Sequence, residues 1–262
     1  MNHTVALLDL RVRLRPVIGY ALGLGVYAFA IVALYPSFKN DTSLDQLAQS
    51  SSTLMAAFGV NGSLTSPAGW LNANLFNNFV PLILIVLTVG YGSWCVAGQD
   101  ENGILSLTAT LPTTRGRIIL DKSFALAAQA FPAVLVTYVC VLVGRGFDLQ
   151  VAGGALVGTS VAMLLLAVDF GALALLLGAL TGSRGLALSV SSAAAAAAYL
   201  ISSLAPAISW LHPFRFASPF YWALGNDPLQ NGMPIGSALA LGATAVALLV
   251  AAAIALRRLD LH

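Results

Sequence analysis

Apolar residues fall into six long runs along the chain, and the polar residues collect in the gaps between them. The runs extend from Pro16 to Tyr35, Leu75 to Ala97, Ser123 to Val143, Val151 to Leu180, Leu186 to Leu204 and Met233 to Leu256. A hydrocarbon layer about 30 Å thick is crossed by about 20 apolar residues in helical form, because an unsatisfied backbone group in lipid costs several kcal/mol. The pattern therefore predicts six transmembrane helices in a single transmembrane domain over residues 1–262, an all-α membrane protein. The fifth run contains "SVSSAAAAAAYLISS", which is small and polar as well as apolar. Its alanines suit close contact with packed neighbours.

Composition supports the bilayer. The chain is 58% apolar and 8% charged, with a mean hydropathy of +0.87. That leaves too little polar material to cover a water-facing surface. With a net charge of +2 and no basic run, nothing suggests a nucleic-acid footprint or a polybasic membrane-surface arm. Cys95 and Cys140 lie inside apolar runs and read as small core residues. With His3, His212 and His262 scattered, no metal-ligand spacing arises, and no metal is expected.

Lysine and arginine set the expected orientation. With a cytoplasmic N-terminus, the inner side holds Arg11, Arg13, Arg15, Arg115, Arg117, Lys122, Arg184, Arg257 and Arg258, while the outer side holds only Lys39, Arg145 and Arg215. Both termini are then inside, in agreement with an even number of spans. A signal peptide is the alternative for the first run, but about 20 apolar residues exceed a signal core of about 7–15. Of the outer loops, 36–74 contains "LDQLAQSSSTLMAAFG", where Leu44, Leu47, Leu54, Met55 and Phe58 fit one face of a short interfacial helix. Loop 205–232 is crowded with Trp, Phe and Tyr and reads as interfacial or re-entrant helices.

The scarce charges concentrate in the longest inner loop, 98–122, "GQDENGILSLTATLPTTRGRIILDK". Asp100, Glu101 and Asp121 meet Arg115, Arg117 and Lys122 there. Acids open the segment, leucines follow, and Pro112 stops any helix. Thr113 or Thr114 can cap the next helix, whose bases can anchor the third span at the headgroups. Two interpretations follow: a helix on the membrane face that docks a soluble partner, or a solvated loop whose charges set topology.

This loop, the late "SPFYW", the outer "AAFGVNGSLTSPAGWLNANLF" and the terminal "RRLDL" together resemble the ATP-binding cassette type-2 transporter permeases. The chain departs from that family's pattern at Gln99, where an acid is frequent, at Ile104, where Thr is common, and at Leu259, which splits Arg258 from Asp260. The resemblance implies the membrane half of an ATP-driven exporter, multi-pass in a bacterial-type cell membrane. It also implies a first cytoplasmic loop that acts as a coupling helix, seated in a separate ATPase subunit. Carried over residue by residue, it assigns coupling roles to Asp100, Glu101, Asn102, Gly103, Leu107, Pro112, Arg115, Arg117 and Lys122. The acids would face the ATPase or cap the helix, Gly103 would permit the turn, Leu107 would plug a pocket, and the bases would hold the helix to the membrane. Expected partners are the ATPase, a second copy or a similar permease, and membrane lipid.

The residues support this division of labour independently. A phosphate-binding loop needs Gly-Lys before Ser or Thr, but Lys39 follows Phe38 and Lys122 follows Asp121. Gly98 and Gly103 have the right spacing, yet Ile104 stands where the lysine belongs. ATP is therefore expected on another chain, with no cofactor and no catalytic residue here. Asp169, in "LLLAVDFGALALLL", is the only acid deep in a run, at a cost of about 2.5–3.5 kcal/mol unless paired, protonated or wet. It is either a contact for a cation or proton in the path, or a protonated acid bonded to a neighbouring helix. Asn72, Asn74, Asn77 and Asn78 enter the second span from outside. By resemblance the second and fifth spans line the path, so Asn74, Asn77 and Asn78 are candidates for its mouth; helix capping explains them equally. A secondary carrier or channel using Asp169 is the alternative function. An intramembrane protease lacks its motifs, since "GTSV" and "GSRG" miss Gly-x-Ser-Gly and Glu101 is the only glutamate.

Overall fold

The structure, a computed structural model, describes residues 13–41, 63–101, 115–206 and 208–258. Six of its helices are long and apolar enough to cross a membrane. Helix α1 is Leu14–Phe38, α2 runs Pro67–Glu101, α3 is Arg115–Val143, α4 is Gly153–Thr181 and α5 is Arg184–Leu204. Two short helices follow, α6 (Pro219–Leu224) and α7 (Pro228–Asn231), before the last long helix α8, Ile235–Arg258. No strand occurs among the described residues.

Local chemistry sets the ends. The second helix begins before Leu75 because Ser66 caps it, its hydroxyl accepting from Gly69 N at 3.1 Å, with Pro67 in the first turn. Gly182 takes a left-handed conformation (φ 63°) and closes α4 through a 3.0 Å bond to Gly178 O. Ser183 immediately caps α5, its hydroxyl accepting from Leu186 N. This tight turn makes α4 and α5 neighbours. At the other end of α3 and α1, Lys39 Nζ donates to Asp148 at 2.8 Å, and this bond raises the lysine's pKa. Asp148 itself has a left-handed backbone (φ 61°).

Helix α4 is the axis of the bundle, packed by α2, α3, α5 and α8, while α1 lies against α3 and α2. Two glycines mark close approaches of α4 to α2 and α3. A Cβ on Gly92 would collide with the carbonyl oxygen of Gly171, and a Cβ on Gly171 would fall 2.6 Å from Leu126 and 2.9 Å from Thr88. Helices in lipid gain association energy from such close contact, since apolar side chains are equally at home in the hydrocarbon. The outward faces carry large apolar residues, with Val26 72% and Leu239 67% exposed, as a hydrocarbon solvent permits. Hydroxyls inside the bundle return their protons to their own helix: Thr88, Thr137 and Thr159 donate to Leu84 O, Ala133 O and Ala155 O.

Gly92→Ala should cost about 1–3 kcal/mol by forcing the two backbones apart. Gly19, with nothing near its Cα substituent position, should tolerate Ala and gain up to about 1 kcal/mol of helix propensity. Thermal unfolding of the purified chain in detergent measures both; equal melting temperatures would contradict the contact.

Candidate functional site

The near end of the 98–122 loop is built by the last turns of α2. That helix widens to a π conformation over Trp94–Gly98, the five residues before Gln99, a local feature frequent at functional positions. Three neighbours are tied to it. The Arg13 guanidinium, just before α1, lies over the Trp94 ring at 4.7 Å and near Tyr91 at 5.6 Å. Lys122 Nζ of α3 donates to Gln99 Oε1 at 2.7 Å. Glu101 Oε1 accepts from the backbone N of Arg184 at 2.9 Å, satisfying an orphan donor in the first turn of α5 and complementing that helix's dipole. Gly98 lets the chain pass, since a Cβ there would sit 2.8 Å from Trp94 and 3.1 Å from Arg184.

Of the expected coupling residues, Asp100 is half-buried and Glu101 exposed at the end of α2. Arg115 and Arg117 fall in the first turn of α3. Asn102, Gly103, Leu107 and Pro112 lie outside the described residues, as does the expected helix around Leu44 to Phe58. Lys122 corrects one expectation: it is fully buried rather than turned to headgroups. A primary ammonium in that position needs acceptors from the protein, and Gln99, 3% exposed, is one. Gln99 therefore belongs to the site. Its only trace in the sequence is its place beside the acids.

At the opposite end of α2, a second π segment, Asn72–Phe76, precedes the asparagines that open the main helix. Asn74 Nδ2 donates to Trp70 O at 2.9 Å and its backbone carbonyl accepts from the Tyr27 hydroxyl. Asn78 Oδ1 accepts from the Tyr199 hydroxyl of α5 at 2.6 Å. Two cavities flank that bond. The larger, about 620 Å³, opens between α2 and α5 and is lined by Val86, Leu188, Ala196 and Leu200 among others, with Asn78 at its rim. The smaller, about 310 Å³, holds Asn77, Ser202, Arg215, Asn226 and Asp227. Tyr199 and Phe220 line both, with their rings edge to face at 5.5 Å. Burial pushes the Asp227 carboxyl above the ordinary carboxylate range, and its backbone is left-handed, φ 47°.

Asp169 lines neither cavity. It is 2% exposed on α4, with Thr244 Oγ1 of α8 3.0 Å from each carboxyl oxygen. The same Oγ1 lies 2.8 Å from Leu241 O. One hydroxyl proton cannot serve both acceptors at full strength. A carboxylic acid that donates to Thr244 while Thr244 donates to Leu241 O satisfies all three groups. The acid is thus bonded to a neighbouring helix, away from the asparagines.

An all-α bundle of six apolar helices defines a multi-pass membrane protein. A family model for the ABC-2 family transporter protein matches residues 3–260, and the chain belongs to that family. It is a family of permeases, the membrane component of an ABC transporter, which normally work with an ATP-binding subunit. No curated protein matches the chain, and no solved structure matches it.

Thr244→Val should destabilise the fold by about 1–3 kcal/mol by stranding the Asp169 carboxyl, whereas Asp169→Asn, which keeps a donor, should assemble normally and leave transport largely intact. Detergent-solubilised melting curves and transport in vesicles measure the two effects. Abolished transport with normal assembly in Asp169→Asn would make the carboxyl part of the path.

Proposed function

We propose that the chain is the permease subunit of an ATP-driven exporter, coupling ATP hydrolysis on a separate subunit to translocation by alternating access. Its two termini are cytoplasmic, and it pairs with a second copy or a similar permease. The observation that carries this proposal is the set of ties at the inner end of α2. Residues entering the 98–122 loop are bonded to α3 through Gln99 and Lys122 and to α5 through Glu101 and the Arg184 N–H. A push on that loop reaches three spans at once. Helices α2 and α5 also enclose the larger cavity, which supports a path between them. Asn77 and Asn78 stand at its mouth, and the loop's Asp100, Asn102, Gly103, Leu107, Pro112, Arg115 and Arg117 meet the ATPase or seat the coupling helix. An ion carrier built on Asp169 draws no support from a carboxyl that lines neither cavity.

Affinity purification of the tagged chain from its native membrane should bring an ATP-hydrolysing subunit with it; a chain that transports alone would end the proposal. Within the assembled transporter, Leu107→Asp should leave the spans folded and nucleotide hydrolysis present while transport falls by about tenfold or more, the effect of losing one buried apolar anchor of ~1.4 kcal/mol or more. Glu101→Gln should weaken coupling in the same direction and less, because a neutral amide still accepts the Arg184 N–H. Transport per ATP hydrolysed, measured in proteoliposomes, reads both.

A further inference from the structure

The two cavities differ in chemistry and share a wall. Beyond Asn78, Ser192 and Tyr199, the larger is lined by apolar side chains of α2, α5 and α6. The smaller presents a cation, Arg215, and an acid, Asp227, together with amides and hydroxyls. Arg215 is held in place by aromatic faces, its guanidinium carbon 4.8 Å from the Phe216 ring and 5.1 Å from the Tyr221 ring. Its Nη1 lies 2.6 Å from His212 Nε2. Its Nε is sealed from solvent and has no hydrogen-bond partner among the described residues. A buried donor without an acceptor is costly, and any contact of Arg215 with the cavity that it lines must be made by other atoms of the side chain. Asp227 lines the same cavity from a left-handed backbone position, a conformation a non-glycine residue adopts at a cost and one that clusters at ligand sites. Trp210, Phe214 and Phe216 stand exposed beside this end of the bundle, as aromatics do at headgroup depth.

We propose that the paired cavities hold one amphiphile, with a hydrocarbon or aromatic body between α2 and α5 and a zwitterionic head whose anionic group meets Arg215 and whose ammonium meets Asp227. An anionic head alone would leave its charge against Asp227, a cationic head alone would meet Arg215, and a neutral apolar molecule would leave both groups uncompensated. Both volumes, about 310 and 620 Å³, fall in the range of small-molecule sites. The inference deepens the permease proposal and rests on it only in making the amphiphile cargo. The site itself is testable without transport.

Binding is measured on the purified full-length chain in a non-ionic maltoside, without nucleotide, by native mass spectrometry. Three probes are compared: lysophosphatidylethanolamine, lysophosphatidylglycerol of the same chain length, and free O-phosphoethanolamine. The zwitterionic lysolipid should bind about tenfold tighter than the anionic one, as one favourable charge contact allows. Asp227→Asn, which keeps a residue tolerant of positive φ, should erase that preference, and Arg215→Gln should weaken both lysolipids. Ala196→Phe, filling the apolar cavity, should weaken the lysolipids and leave the free head group unchanged. Melting temperatures within a few degrees of the unmodified chain qualify each variant. Equal affinity for the two lysolipids, or a preference untouched by Asp227→Asn, would overturn the head-group assignment. A free head group binding as tightly as its lysolipid would show a site for a soluble phosphoester and overturn the two-cavity proposal. Lipid binding without any co-purifying ATPase would leave this site standing and remove the permease proposal instead.

Discussion

Helix α2 can lie on α4 only because neither Gly92 nor Gly171 carries a side chain where they meet. Everything else about α2 follows from being held there. Its middle is among the most enclosed stretches of the bundle, so neither side-chain repacking nor lipid entry can relieve a displacement at that level. Its two ends are different. Each passes through a π segment, Asn72–Phe76 and Trp94–Gly98, where the regular backbone bonding is interrupted and the helix can change direction at less cost. A rod clamped at its centre and hinged near both ends joins the loop end to the cavity end.

The polar groups show why such an element keeps its register. In a bilayer, a misplaced polar side chain has no water to fall back on, so each buried interhelical hydrogen bond acts as a stop, and an exposed one adds a weaker tie. Gln99 with Lys122 and Glu101 with the Arg184 N–H set the loop end of α2 against α3 and α5. Asn78 with Tyr199 sets its other end against α5 alone. Helix α5 is consequently bonded to α2 at both ends while the space between them stays open as the larger cavity. Asp169 and Thr244 do the same for α4 and α8, on a side with no role in that opening. Two bonds of the α2–α5 kind resist rotation of one helix against the other more than two bonds placed together, because they act at the extremes of the lever arm.

The parts of this architecture legible in the sequence are those that depend on solvent. Six apolar runs become six helices because backbone groups in lipid must be bonded internally and runs of about 20 residues suit a helix rather than a barrel strand, and the caps at Ser66 and Ser183 are readable from Ser-Pro and Gly-Ser. What depends on pairing is not legible. Lys122 looks like a headgroup anchor because it sits among other bases at the start of a span, and nothing in a single sequence says that Gln99 faces it. Thr244 is one of many hydroxyls in apolar runs, and Asp169 names no partner on its own. Asn77 and Asn78 carry a signal as a polar cluster at a helix entrance, but their division between two cavities comes from Tyr199 and Phe220, which read as ordinary aromatics.

The same distinction explains the chemistry at the far end. Tyr199 and Phe220 each present a face to an apolar cavity and a face to a polar one, and only aromatic side chains combine a large apolar surface with tolerance of a wet edge. Tyr199 adds a hydroxyl that donates to Asn78 at 2.6 Å and stands within hydrogen-bond reach of Ser203, so its polar edge is anchored at the boundary of the two cavities. Phe220 has no such tether of its own; it is held by the rings of Phe170 and Tyr199 at 5.7 and 5.5 Å. The apolar and polar cavities thus adjoin along Tyr199 and Phe220, at the end of α2 farthest from the loop.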